Sequence, residues 1–131
     1  MPEPGWIPKH TQEPGSRECM RLAVSCMTGI HWRRLRFLDP DDYSINWWEE
    51  WDKLLRERGF HMYRATRADA EEWGGLWIAG VSSYVYPGKI HSVVMKGKKL
   101  YYDSAQIKRR RAPTKLRDNP LICVPLEASD G

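Results

Sequence analysis

Three residues in this 131-residue chain have the types and spacing that thiol chemistry requires. Cys19 opens an amphipathic segment, and His91 and Asp103 lie on either side of residues 96–98 in one predicted hairpin. A cysteine thiolate attacks a carbonyl carbon when a histidine takes its proton, and an aspartate orients that histidine and stabilises its charged form. Together the three residues predict nucleophilic catalysis through Cys19.

The position of Cys19 favours a thiolate. Ser16 is the expected N-cap of a helix whose apolar residues recur at helical spacing from Cys19, and Gly29 is the expected stop. Cys19 then lies in the first turn, where unpaired backbone N–H groups and the helix dipole stabilise negative charge. Arg21 adds to this effect and Glu18 opposes it. A free cysteine is also often buried as a small apolar residue, so packing alone stays open.

The other two cysteines lack this setting, because Cys26 lies two turns deeper on the same helix face and Cys123 lies in an apolar strand. We expect both to belong to the core.

The predicted hairpin sets a geometric condition on His91 and Asp103. If residues 96–98 form a three-residue loop with Gly97 at positive φ, His91 lies directly opposite Asp103 and both point from one face. A two-residue loop would shift the register by one residue and send the side chains to opposite faces. We therefore expect the three-residue loop. A purely structural histidine–carboxylate pair is the alternative.

The remaining elements predict an α+β fold in which helices precede an antiparallel sheet. Prolines and glycines mark residues 1–16 as an irregular N-terminal arm, and tryptophans and leucines at helical spacing predict a second helix from residue 47 to Gly59. Residues 30–46 are expected to be mostly loop. A short helical turn is expected at 68–73, and extended segments at 60–65, 76–81, 90–95, 99–104 and 121–126.

Composition describes a single soluble domain spanning residues 1–131, with 41% hydrophobic and 29% charged residues and a mean hydropathy of -0.66. Three cysteines without a CxxC pair argue against structural zinc and against a disulfide framework. No signal peptide or membrane span is apparent, so we expect a cytoplasmic protein with reduced thiols. The net charge is +4. The basic run at residues 108–111 is typical of a solvated loop, and nucleic acid is the less favoured reading.

The motifs Cys-x-x-x-Ala-x-x-x-x-x-Gly at residues 19–29 and His-x-Val-Val-x-x-Gly-x-x-x-Tyr-x-Asp at residues 91–103 resemble the papain-like cysteine peptidase superfamily. The chain is most similar to its compact bacterial and phage-type members and to bacteriocin-processing leader peptidases. The resemblance implies a papain-like fold, with the cysteine helix packed on a C-terminal antiparallel sheet. It implies no metal or organic cofactor.

The resemblance also implies roles for individual residues. Cys19 would be the nucleophile, His91 the base and Asp103 the orienting residue. Gln12, seven residues before Cys19, would supply a side-chain amide to the oxyanion hole; a glutamine on a surface arm is the alternative.

The chain departs from the compact subgroup at three points. Glu18 stands where the subgroup usually has Asp, Ser104 where it often has Pro, and residues 83–87 replace a small-residue turn. Tyr84 and Tyr86 in that segment would line a substrate cleft or simply pack.

The sequence therefore predicts a thiol-dependent hydrolase acting on a peptide or protein, with amidase, deamidase and transferase chemistry open to the same three residues. A catalytically idle papain-like binding or inhibitor module is the main alternative. A basic nucleic-acid-binding protein that uses Lys108 to Arg111 is the weaker one.

Overall fold

A computed structural model describes residues 4–8, 18–36, 38, 44, 46–82, 90–104 and 120–125, with the backbone alone at 47, 82 and 90. The helices in this part of the chain are α1 (Cys19–Thr28), α2 (Trp47–Arg56) and α3 (Arg67–Glu72), and a 3₁₀ turn spans Trp32–Arg34. The strands are β1 (Phe60–Arg64), β2 (Leu76–Ser82), β3 (Ile90–Lys96), β4 (Lys99–Tyr102) and β5 (Leu121–Pro125). The α+β prediction is confirmed, and each strand lies within two residues of its expected bounds.

The five strands form one antiparallel sheet in the order β1-β5-β2-β3-β4. β2 and β3 pair along their whole length, from Leu76 opposite Lys96 to Ser82 opposite Ile90. β2 meets β5 at one pair only, Ile78 with Leu121. The long β2–β3 ladder is therefore the rigid element from which β3 presents its side chains.

Helix α1 packs on one face of this sheet because its apolar side chains recur at helical spacing. Leu22 and Cys26 are completely buried, in one cluster with Val94 of β3. Val93 and Met95 belong to a second cluster, as the alternation of strand side chains requires. The buried face of α1 thus holds the N-terminus of the helix beside β3.

The ends of α1 match the sequence prediction at one end and differ at the other. Gly29 ends the helix in a left-handed conformation with φ of 77°, as expected for a C-cap glycine. The N-cap is Glu18 and not Ser16, and its side chain makes no capping hydrogen bond. Cys19 is consequently the first residue of the helix.

The predicted loop of the β3–β4 hairpin is wrong. Lys96 pairs with Lys99, so Gly97 and Lys98 alone form the turn, with Gly97 at φ of 58°. Hairpins favour two-residue turns with positive φ because the twist of such turns matches that of the strands. By the condition derived from sequence, this loop would separate the side chains of His91 and Asp103.

A β-bulge in β4 removes this conflict. Met95 pairs with Leu100, but Val94 pairs with Tyr102, so Tyr101 is an extra residue. One extra residue restores the original alternation. Continuing this register places Asp103 opposite Val93, two residues from His91 along β3. Because strand side chains alternate with a period of two, Asp103 and His91 lie on the same face of the sheet.

Several predicted features lie outside the described residues. They are Gln12, Ser16, Tyr84, Tyr86, Lys108 to Arg111 and most of the arm at 1–16. Within the described part of the chain, every helix falls short of the length and apolarity that crossing a bilayer would require.

Candidate active site

The candidate nucleophile lies at the N-terminus of α1, where the helix dipole is positive. The neighbouring carboxylate of Glu18 would oppose a thiolate, but Arg21 lies 3.7 Å from it across one turn. The Arg21 guanidinium is itself held by donating to the backbone carbonyl of Leu35 at 2.8 Å. The charge of Glu18 is therefore partly compensated, and the end of the helix keeps its preference for an anion.

The structure brings His91 and Asp103 together. His91 Nε2 lies 2.6 Å from Asp103 Oδ1, and the two side chains are only 9% and 11% exposed. A carboxylate that accepts from one imidazole nitrogen fixes the tautomer and the orientation of the ring. Because Nε2 is occupied by Asp103, Nδ1 is the nitrogen left for another partner.

That partner is Cys19, whose side chain is hydrogen-bonded to His91. Burial acts to raise the pKa of the Cys19 thiol, yet the hydrogen bond and charge of His91, together with hydrogen bonds from Ser92, hold that pKa below its usual 9.0. Burial likewise acts to lower the pKa of His91, while hydrogen bonds to Asp103 and Cys19 raise it to about 9. The charged forms stabilise one another, which is the condition for a thiolate–imidazolium pair at neutral pH.

The two remaining cysteines have a different environment: Cys26 belongs to the core as expected, whereas Cys123 is partly buried and packs against it. Cys26 is fully buried in the main core cluster, and burial raises its pKa to about 12. Burial, with a smaller effect from Asp52, raises the pKa of Cys123 to about 12 as well. The causes of these raised pKa values are burial and, for Cys123, the Asp52 carboxylate, and neither of them stabilises a thiolate. Cys19 is therefore the thiol with the chemistry of a nucleophile.

Two features of the structure were missed by the sequence reasoning. Ser92 contacts Cys19, although nothing in the sequence distinguishes it from any other strand serine. His61 has a carboxylate partner, Asp52, at 2.9 Å; the partner comes from helix α2 and not from a paired strand. The i,i+4 spacing of Asp52 and Arg56 indicates their ion pair across one helical turn, but no signal in the sequence places His61 beside them.

No three histidine, cysteine, aspartate or glutamate side chains among the described residues converge as a metal site would require. Gln12, Tyr84 and Tyr86 are outside the described residues, so their predicted roles stay predictions.

No protein-family model, curated protein or solved structure matches this chain. The resemblance to papain-like peptidases therefore stays a prediction. What the site does must follow from its own residues and geometry.

Proposed function

We propose that this protein is a thiol-dependent hydrolase, a small papain-like cysteine peptidase or amidase that forms an acyl-enzyme on Cys19. The observation that carries the proposal is the hydrogen-bonded series from Asp103 through His91 to Cys19, with the thiol on the first residue of a helix. A nucleophile, a base and an orienting carboxylate in contact form the arrangement that activates a thiol. The packing of α1 against an antiparallel sheet is in keeping with the papain-like fold.

Acylation needs a proton at the leaving group. The Cys19 thiolate attacks the amide carbonyl carbon, and the carbonyl π electrons move to oxygen to give a tetrahedral oxyanion. As the oxyanion collapses, the C–N bond breaks and protonated His91 gives its proton to the departing nitrogen. The products of this half-reaction are an amine and a thioester on Cys19. A raised His91 pKa ensures that the proton is present when it is needed.

Deacylation uses the same residues in reverse. Neutral His91 takes a proton from water, the hydroxide oxygen attacks the thioester carbon, and the C–S bond breaks to regenerate the thiolate. The acyl group leaves as a carboxylic acid, and His91 is again protonated. Asp103 keeps the ring in place through both half-reactions, because its bond to Nε2 leaves Nδ1 directed to the sulfur.

The backbone N–H groups of the first turn of α1 offer donors to the oxyanion, as at other helix N-termini. Gln12 remains the residue proposed to complete this oxyanion hole.

Acyl transfer is tested with p-nitrophenyl acetate, which reports acylation without knowledge of the natural substrate. We expect a burst of nitrophenolate equal to the enzyme, acetyl on Cys19 by mass spectrometry, and then steady turnover. Cys19→Ser should abolish the burst, whereas Cys26→Ser should leave it unchanged because that thiol is fully buried. A burst that survives in Cys19→Ser, or no reaction above the buffer rate, would contradict the proposal.

One observation favours a second candidate, the catalytically idle papain-like module. Cys19 is only 7% exposed and His91 only 8%, so little of the pair is open to solvent. The same experiment separates the two functions. An idle module would leave Cys19 unacylated, or acetylated without subsequent turnover, while a hydrolase regenerates the free thiol.

A further inference from the structure

Ser92 follows His91 on β3 and is buried, with 9% of its surface exposed. Strand alternation places it on the same face as Val94, whose side chain packs in the cluster with α1. Its cross-strand neighbour on β2 is Gly80, which has no side chain to cover it. The serine hydroxyl therefore lies in the layer between the sheet and the N-terminus of α1.

In that layer Ser92 makes two contacts with one atom. Its backbone N–H and its hydroxyl both approach the sulfur of Cys19 closely enough to lower the pKa of that thiol, as His91 does. A thiolate can only accept hydrogen bonds, so the hydroxyl must donate when Cys19 is ionised. Hydrogen bonds to a charged acceptor are about twice as strong as those between neutral groups.

We propose that Ser92 is a positioning residue whose hydroxyl donates to the Cys19 thiolate and holds it against His91. The proposal deepens the proposed function, on which it rests, since it names a residue that sets the state of the nucleophile. A histidine alone gives the sulfur one donor and one direction. The added serine donor fixes the sulfur between β3 and the start of α1.

Removing the hydroxyl has two opposed consequences for the thiolate. The pKa of the Cys19 thiol rises, so alkylation of Cys19 should be slower at pH values where most of the thiol is protonated. The thiolate that does form is less stabilised and hence more nucleophilic, by about threefold for a tenfold change in acidity. A change that only loosened the packing would slow the reaction at every pH. A variant that is slower than wild type at low pH but faster at high pH therefore identifies the role of the hydroxyl.

The experiment measures alkylation of Cys19 by iodoacetamide against pH, with the labelled site located by mass spectrometry. In Ser92→Ala we expect the rise with pH to move about one pH unit higher, which lowers the rate about tenfold on the acid side. On the plateau the rate should increase about threefold. The charged groups around the thiol include His91, Asp103 and the Glu18–Arg21 pair, and every Ser92 variant retains them.

A matched pair of variants guards against a loss of folding. Ser92→Thr and Ser92→Val have the same shape and both suit a strand, but only the threonine keeps the hydroxyl. Ser92→Thr should follow the wild-type profile and Ser92→Val the Ser92→Ala profile, with circular dichroism spectra that are unchanged. Identical profiles for the Thr and Val variants would overturn the proposal.

The two proposals fail in different ways. If Ser92 variants match wild type while His91→Ala slows alkylation strongly, the role of Ser92 is wrong and the hydrolase site stands. If Cys19 reacts no faster than Cys26 and is indifferent to His91→Ala, both are wrong.

Discussion

The protein contains two histidine–aspartate pairs that differ in what surrounds them. His91 and Asp103 are 2.6 Å apart, nearly buried, and face the thiol of Cys19. His61 and Asp52 are 2.9 Å apart, with side chains 33% and 17% exposed. The thiol near the second pair, Cys123, is held in its neutral form by burial and by the Asp52 charge. An arginine, Arg56, lies 2.9 Å from the Asp52 carboxylate and 3.0 Å from the His61 ring.

The difference shows that the pair by itself does not define a reactive site. Burial acts to raise the pKa of Asp52, but Arg56, the backbone N–H of Met62 and His61 lower it below its usual 3.8. Asp52 thus ties α2 to β1 through His61 and the backbone N–H of Met62, and it shares its charge with Arg56 of its own helix. Asp103 contacts a histidine whose pKa is raised to about 9 and which also contacts Cys19, so in the proposed mechanism its charge stabilises the ion pair of the nucleophile. We therefore propose that His91 and Asp103 activate the thiol, and that His61 and Asp52 stabilise the packing of α2 on β1.

The largest contrast is expected when each histidine is removed. His91→Ala should slow iodoacetamide alkylation of Cys19 about a hundredfold at neutral pH, because the thiolate loses its cation and its main side-chain donor. His61→Ala, the matched control, should leave the rate within twofold. Equal rates in the two variants would erase the distinction between the pairs.

A smaller contrast is expected when each carboxylate becomes an amide. Asp103→Asn should lower the His91 pKa from about 9, so that alkylation at mildly alkaline pH falls about tenfold while the ring keeps a hydrogen-bonding partner. Asp52→Asn should not change the alkylation profile. The outcome that counts against this account is an unchanged profile in Asp103→Asn.

The second pair should instead be visible in stability. Asp52→Asn is expected to cost about 1–3 kcal/mol in the free energy of unfolding by urea, since Arg56, His61 and the buried N–H of Met62 lose their charged acceptor. The pKa of Asp52 is lower in the folded chain than its usual 3.8. Its contribution is therefore present above that value and lost as the pH falls through the lowered folded pKa. Asp52→Asn should flatten this acid-side loss, and an equally steep loss would refute the assignment.

The smallest effect is expected in the hairpin turn that carries the first pair. Gly97 has φ of 58°, and an added Cβ in that conformation should cost about 1 kcal/mol of unfolding free energy in Gly97→Ala. Alkylation of Cys19 should be unaffected, because the substitution changes neither the length of the turn nor the bulge at Tyr101, which together set the alternation at Asp103. Loss of alkylation with the fold intact would show that the turn itself positions the carboxylate.

The sequence predicted the elements well because periodicity and turn residues report local structure directly. It placed α1 and the strands, and it singled out Cys19, His91 and Asp103. It failed on the hairpin, where a two-residue turn and a bulge at Tyr101 together produce the side-chain alternation that a three-residue loop would have given. Because the shorter turn and the extra residue cancel, the pattern of polar and apolar residues is the same with or without them, and the sequence does not reveal either.

Contacts between distant elements were the other failure. Ser92 reaches Cys19, and Asp52 reaches His61, only because α1 and α2 pack on particular strands. A pattern within one segment does not carry the relative position of two segments. These residues became visible when the sheet order and the helix placement were known.

The thiolate of Cys19 tests the central claim most directly, and its ultraviolet absorbance can be titrated in the intact protein. Cys26 and Cys123 have pKa values of about 12, so a thiolate that forms below pH 9.0 belongs to Cys19. We predict the absorbance of one thiolate with a midpoint below 9.0, which is absent in Cys19→Ser and moves to higher pH in His91→Ala. A wild-type protein with no thiolate below 9.0, or a midpoint that His91→Ala leaves in place, would contradict the ion pair on which the proposed chemistry depends.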